Sequence, residues 1–119
     1  MKLDVACANN PLWIIRQNKI IEIKPDKQPV GQFSGAKPFL LHNIQLEKGD
    51  TIYCASDGYA DQFGGPKGKK FKYSQLEQLL LSIQDKSMSE QKETLGKAID
   101  DWRGELEQID DMCIIGVRV

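Results

Sequence analysis

Apolar residues alternate at a period of two through much of the first half of the chain and recur at helical spacing through most of the second. A final apolar run closes the sequence. That switch of period constrains the fold more than any single residue, because side chains alternate across a strand but repeat every three or four positions on one helix face. Leu3 to Ala8 reads as a short strand, broken by Asn9-Asn10-Pro11. Leu12–Arg16 and Lys19–Lys24 flank Gln17-Asn18, which has the composition of a two-residue hairpin turn. The proline- and glycine-containing stretch from Pro25 to Lys37 reads as a loop. Phe39 to Leu46 returns to strand, Glu47 to Asp50 is a turn, and Thr51 to Ser56 is a buried strand. Ser74 is placed to cap a helix from Gln75 to about Gln84, with Leu76, Leu79, Leu80 and Ile83 on one face. Ser89 begins a second helix carrying Leu95, Ala98, Ile99 and Trp102, ended by Gly104. Met112 to Val119 is expected to be a buried strand. Five or six strands, two helices and a last strand make an α+β pattern. Both ends fall inside expected strands, as they would in a piece cut from a larger domain.

Composition narrows the classes of function. The chain has 119 residues and a formal net charge of −1, which offers no electrostatic footprint for nucleic acid or an anionic membrane. No apolar run approaches the roughly 20 residues that span a bilayer, and the first residues lack the pattern of a signal peptide. Cys7, Cys54 and Cys113 are odd in number and form no Cys-x-x-Cys pair. They are expected to be buried, reduced, inert thiols of a cytoplasmic protein. His42 is the single histidine, so the usual structural zinc arrangements are excluded. Trp13 and Trp102 lie on apolar stripes and are expected in the core.

Two strand ends carry acid. In Ser56-Asp57-Gly58-Tyr59-Ala60-Asp61 a buried strand delivers Asp57 to the sheet edge, and Gly58 permits a sharp turn or close approach. If the chain then turns helical, Asp57 and Asp61 share a face. In Ile109-Asp110-Asp111-Met112 two acids lead into the last strand. Carboxylates without histidine or thiolate suit hard cations such as Mg²⁺ or Mn²⁺. The same residues also read as ordinary loops, since Asp-Gly after a strand is a common turn signal. Gly64-Gly65-Pro66-Lys67-Gly68-Lys69-Lys70 fails the P-loop spacing. Its lysines, Lys67, Lys69 and Lys70, with Lys72 beyond, either steer an anionic partner or form a solvated, flexible loop.

The stretch from Gly49 to Gln62, with its Ser-Asp-Gly-x-x-Asp core, resembles the corresponding segment of the PPM (type 2C) serine/threonine phosphatases, more narrowly their bacterial SpoIIE/RsbU-type branch. The similarity continues through Phe63-Gly64-Gly65, Gly68-Lys69-Lys70-Phe71, both helices, Trp102-Arg103-Gly104 and Asp110-Asp111-Met112. Upstream it includes Ala8-Asn9-Asn10-Pro11-Leu12-Trp13 and Gln28-Pro29-Val30-Gly31. The resemblance implies that residues 1–119 are the C-terminal half of such a domain, a partial α-β-β-α sandwich with a mostly antiparallel sheet and two helices on one side. It implies that Asp57 and Asp110 are metal ligands, that Asp61 serves a further, weaker ion, and that Asp111 and Gly58 are ligand or supporting positions. No catalytic residue beyond the metal ligands is implied. Two or more Mn²⁺ or Mg²⁺ ions would activate a water for in-line hydrolysis of phosphoserine or phosphothreonine, without a phosphoenzyme. By analogy the substrate is a phosphoprotein such as an anti-anti-sigma factor. The family's bridging aspartate and Gly-His-Gly run have no match here, so the chain alone is expected to be inactive. A non-catalytic protein-interaction half-domain is the alternative. An incomplete sandwich leaves strand surface uncovered, and a homodimer is the expected remedy.

Overall fold

The computed structural model describes residues 1–119, which form eight strands and three helices. The architecture is α+β with antiparallel pairing. It divides into two compact units, one of Met1–Cys54 with Gly116–Val119, the other of Ala55–Ile115.

The first unit is built from strands. β1 (Lys2–Val5) pairs with β4 (His42–Gln45). β2 (Leu12–Arg16) pairs with β3 (Lys19–Ile23) on one side and β5 (Thr51–Ala55) on the other, and β8 (Ile114–Arg118) completes the order β3-β2-β5-β8. Gln17 and Asn18 both take positive φ, 50° and 61°, the conformation that a two-residue turn needs to match strand twist. Leu12, Ile14 and Ile23 meet Cys7 and Leu46 in a small core, with Leu3, Val5, Ile44, Ile52, Cys54 and Val119 packed around it. Trp13 and Tyr53, a cross-strand pair, are also buried. Asp50 is buried and charged, and Arg16 answers it: Nε and Nη2 donate to the two carboxylate oxygens at 2.9 and 2.7 Å. That pairing holds the Asp50 carboxyl below its ordinary range.

The second unit carries the helices. α1 (Gly58–Asp61) is a single turn after β5. β6 (Phe63–Gly64) and β7 (Lys69–Lys70) form a short hairpin, followed by α2 (Tyr73–Ser82) and α3 (Met88–Arg103). Leu76, Leu80, Ile83, Leu95 and Ile99 are the buried helical stripe that the spacing predicts. Trp102 packs on Gly64 and Gly65, where a Cβ would stand 2.6 Å from the indole ring in each case, and its ring meets Phe71 edge to face.

Several sequence expectations need correction. Phe39–Leu41 is not strand: the Leu40 amide donates to the Asp26 side chain instead of a ladder partner, and Leu40 and Leu41 are exposed. The first helix is capped not by Ser74 but begins at Tyr73 behind Lys72, which makes no side-chain cap. The second begins one turn position earlier, at Met88, because Ser87 and Glu90 form a reciprocal capping box. The last strand is not buried: Ile115 and Val117 are exposed on one face of β8, while Ile114 and Gly116 on the other are half-buried. Cys113, just ahead of it, is likewise exposed and Cys54 is half-buried, leaving Cys7 as the one buried thiol. Burial pushes the Cys7 thiol up. Trp102 is half-buried rather than core. The lysine loop is paired at its base as the β6–β7 hairpin, and Lys67, Lys69 and Lys70 are exposed.

Candidate metal centre

Asp57, Asp61, Asp110 and Asp111 all belong to the second unit. Asp57 ends the run out of β5 and stands at the N-cap of α1, while Asp61 closes that turn, its amide donating to the Asp57 carbonyl at 2.9 Å. The four-residue spacing therefore puts the two acids one helical turn apart, as the sequence predicts.

The segment bearing Asp110 and Asp111 is fastened beside Asp57 by Ser56. The Ser56 hydroxyl donates to the Asp111 carbonyl at 3.2 Å and accepts from the Cys113 amide at 3.0 Å, and the Ser56 amide donates to the Cys113 carbonyl at 2.9 Å. Gly58 sits against the same backbone, where a Cβ would stand 2.0 Å from the Asp111 carbonyl oxygen. Only glycine lets the two acidic segments approach this closely. Asp110 accepts its neighbour's amide, Asp111 N–H, at 2.7 Å on Oδ1, and Gln108 donates to the Asp110 carbonyl at 2.9 Å. Asp57, Asp110 and Asp111 are exposed.

Each acid has a different neighbour. The Tyr73 hydroxyl donates to Asp57 Oδ1 at 2.7 Å. Burial and that carboxylate push the Tyr73 phenol up, well beyond its ordinary value. Asp61 faces Lys70, with Nζ 3.5 Å from Oδ1, and Lys70 also lies over the Phe63 ring. Lys67 and Lys69 are exposed on the hairpin, with no ion pair. Tyr59 anchors α1 to α3 by donating to the Leu95 carbonyl at 2.7 Å, and burial pushes its phenol up as well.

Three contributors escaped sequence reasoning: Ser56, Gln62 and Tyr73. Gln62 is fully buried; its side-chain amide donates to the carbonyls of Phe63 and Glu107, clasping the end of α1 to the segment that leads to Asp110, and its Oε1 has no partner. Ser56 and Gln62 flank the acidic motif, so their position was the available signal. Tyr73 lies 16 residues from Asp57, and nothing local in the sequence marks it.

As a donor set, these are carboxylate and carbonyl oxygens at a rim open to solvent, the chemistry of a hard divalent ion. No group of three or more His, Cys, Asp or Glu side chains is gathered closely enough to hold an ion unaided. No helix is long and apolar enough to cross a membrane.

A family model described as Stage II sporulation protein E (SpoIIE) matches residues 2–119. Among solved structures, the SiaA-PP2C domain of Pseudomonas aeruginosa aligns with a TM-score of 0.89 and 25% identity over 99% of this chain and 46% of its own. The PP2C phosphatase domain of SpoIIE from Bacillus subtilis, with a fragment of its regulatory domain, aligns with a TM-score of 0.75 and 19% identity over 99% of this chain and 34% of its own. A Mn-presoaked form of the B. subtilis SpoIIE phosphatase domain gives a TM-score of 0.65 and 18% identity over 99% and 56%. The chain thus spans about a third to somewhat over half of each of these structures. No curated protein sequence matches it.

Proposed function

This chain belongs to the SpoIIE family, and from that premise we propose that residues 1–119 are the C-terminal half of a PPM-type protein serine/threonine phosphatase domain. The observation that carries the reading is the junction at Ser56 and Gly58, the two residues flanking Asp57, which hold the backbone of Asp111. Two carboxylate-bearing segments far apart in sequence are brought to one rim, as a divalent centre requires. Asp57 and Asp110 are the proposed ligands, Asp61 the ligand of a further ion, and Asp111 and Gly58 support them. Mn²⁺ or Mg²⁺, when bound, would supply Lewis acidity and a nucleophilic water for hydrolysis of phosphoserine or phosphothreonine. The chain's own contribution is to hold these carboxylates open to solvent and in fixed relation. Lys67 and Lys69 add positive charge that draws a phosphoprotein, by analogy an anti-anti-sigma factor in bacterial partner switching. A cytoplasmic site fits such a substrate.

The test is hydrolysis of p-nitrophenyl phosphate by the complete domain with Mn²⁺. Asp57→Asn or Asp110→Asn should lower turnover by at least about a hundredfold, the scale of losing a ligand or its electrostatic equivalent. Full turnover in either variant at saturating Mn²⁺ would refute the assignment. A non-catalytic interaction half-domain is the second reading, favoured by the exposed apolar side chains of Ile115 and Val117 on β8. It is separated from the first by the same assay.

A further inference from the structure

We infer that Tyr73 is a positioning residue for Asp57, held in place by a strained backbone at Lys72. Lys72 has φ 77° and ψ 150°, a region open almost only to glycine and strained for any other residue. The surrounding bonds over-determine that conformation. The Phe71 amide donates to the Gln62 carbonyl at 2.9 Å, and the Lys72 amide donates to the Ala60 carbonyl at 2.8 Å. Residues 71 and 72 are thereby laced to the end of α1, and the Lys72 carbonyl accepts from Leu76 in the first turn of α2. The chain must reverse sharply between these commitments, and the reversal delivers Tyr73 to the N-terminal end of α1, where its hydroxyl meets Asp57 Oδ1 at 2.7 Å.

An exposed aspartate on a one-turn helix otherwise samples several rotamers. A phenol fixed by its half-buried ring holds one carboxylate oxygen and so sets where the other points, which lowers the ordering cost when an ion binds. Lys70 does not take this role, because its ammonium is paired with Asp61.

The inference rests on the metal-site reading, and the experiment separates the two. In the complete domain, Mn²⁺ affinity is measured by titration for the wild type, Tyr73→Phe and Asp57→Asn, alongside thermal midpoints in EDTA. Tyr73→Phe keeps the ring and should weaken Mn²⁺ binding about tenfold, while its midpoint in EDTA stays within a few degrees of wild type. Raising Mn²⁺ should restore its turnover. Unchanged Mn²⁺ affinity in Tyr73→Phe, with affinity lost in Asp57→Asn, would overturn the role of Tyr73 alone. Unchanged affinity in Asp57→Asn would overturn the metal-site reading beneath it. A Tyr73→Phe midpoint in EDTA depressed as strongly as its Mn²⁺ affinity would mark Tyr73 as a general structural residue and also overturn the inference.

Discussion

A methyl group at position 58 would lie 2.0 Å from the Asp111 carbonyl oxygen, and both atoms belong to backbones fixed by hydrogen bonds. Gly58→Ala should therefore force the two acidic segments apart, at a cost of about 1–3 kcal/mol. Urea denaturation checks the stability, and Mn²⁺ titration of the complete domain should show affinity falling in parallel. Asp50 poses a different problem, that of a buried charge with a partner. Arg16 and the Glu47 amide satisfy its oxygens, so Asp50→Ala should cost roughly 2 kcal/mol, the range for hydrogen bonds to charged groups. Because pairing holds its folded pKa below the usual value, its contribution is complete above the unfolded pKa, about 3.9. It is lost as pH falls through the lower folded value. A stability profile from pH 7 to pH 2 should stay flat to about pH 5 and then fall, and Asp50→Asn should flatten part of that fall.

At the scale of elements, caps decide where the helices begin. Ser87 accepts from the Glu90 amide while the Glu90 carboxylate accepts from the Ser87 amide, which holds the Glu90 carboxyl below its ordinary range. Ser87→Ala should cost about 1 kcal/mol, read as an earlier denaturation midpoint with unchanged slope. α2 has no such cap, and its start is dictated by the bonds from Phe71 and Lys72 to α1. That contrast explains much of what was legible in the sequence. Period and turn chemistry revealed β2, β3, β5 and both long helices, because those signals are local. The β6–β7 hairpin was missed because two-residue strands carry no period, and its glycines look like any loop. An apolar run cannot announce which face of its strand is covered, so the exposure of Ile115 and Val117 on β8 is not legible in the sequence. The acids of the candidate site were visible as motif residues. The bonds made by Ser56, Gln62 and Tyr73 were not, since their partners lie 55, 45 and 16 residues away.

At the scale of the whole molecule, the proposed metal site is incomplete and β8 is an edge strand with exposed apolar side chains. With no group of three ligating side chains, the 119-residue chain alone should show little or no phosphatase activity at any Mn²⁺ concentration. Turnover comparable to the complete domain, in a preparation free of contaminating phosphatase, would contradict this. Trp13 and Ile15 are buried within the chain itself, so association cannot draw on them. It must draw on Ile115 and Val117 of β8, with Ile21, Leu40 and Leu41, all exposed. An edge strand bearing apolar side chains favours pairing with another strand, and we expect a homodimer at micromolar concentration in sedimentation equilibrium. Charging that edge by Val117→Lys should return it to monomer.

The Ser56 hydroxyl closes a span of 55 residues to reach Asp111. Contacts of such long separation carry a loop-closure entropy that shorter ones escape, and they tend to form late in folding. The helices and the hairpin can organise from nearby contacts, whereas Ser56 and Gly58 meet the Asp111 backbone only when the segment bearing Asp110 and Asp111 docks. On the proposed metal-site reading, competence to bind an ion should therefore come late in refolding, after the helices have formed.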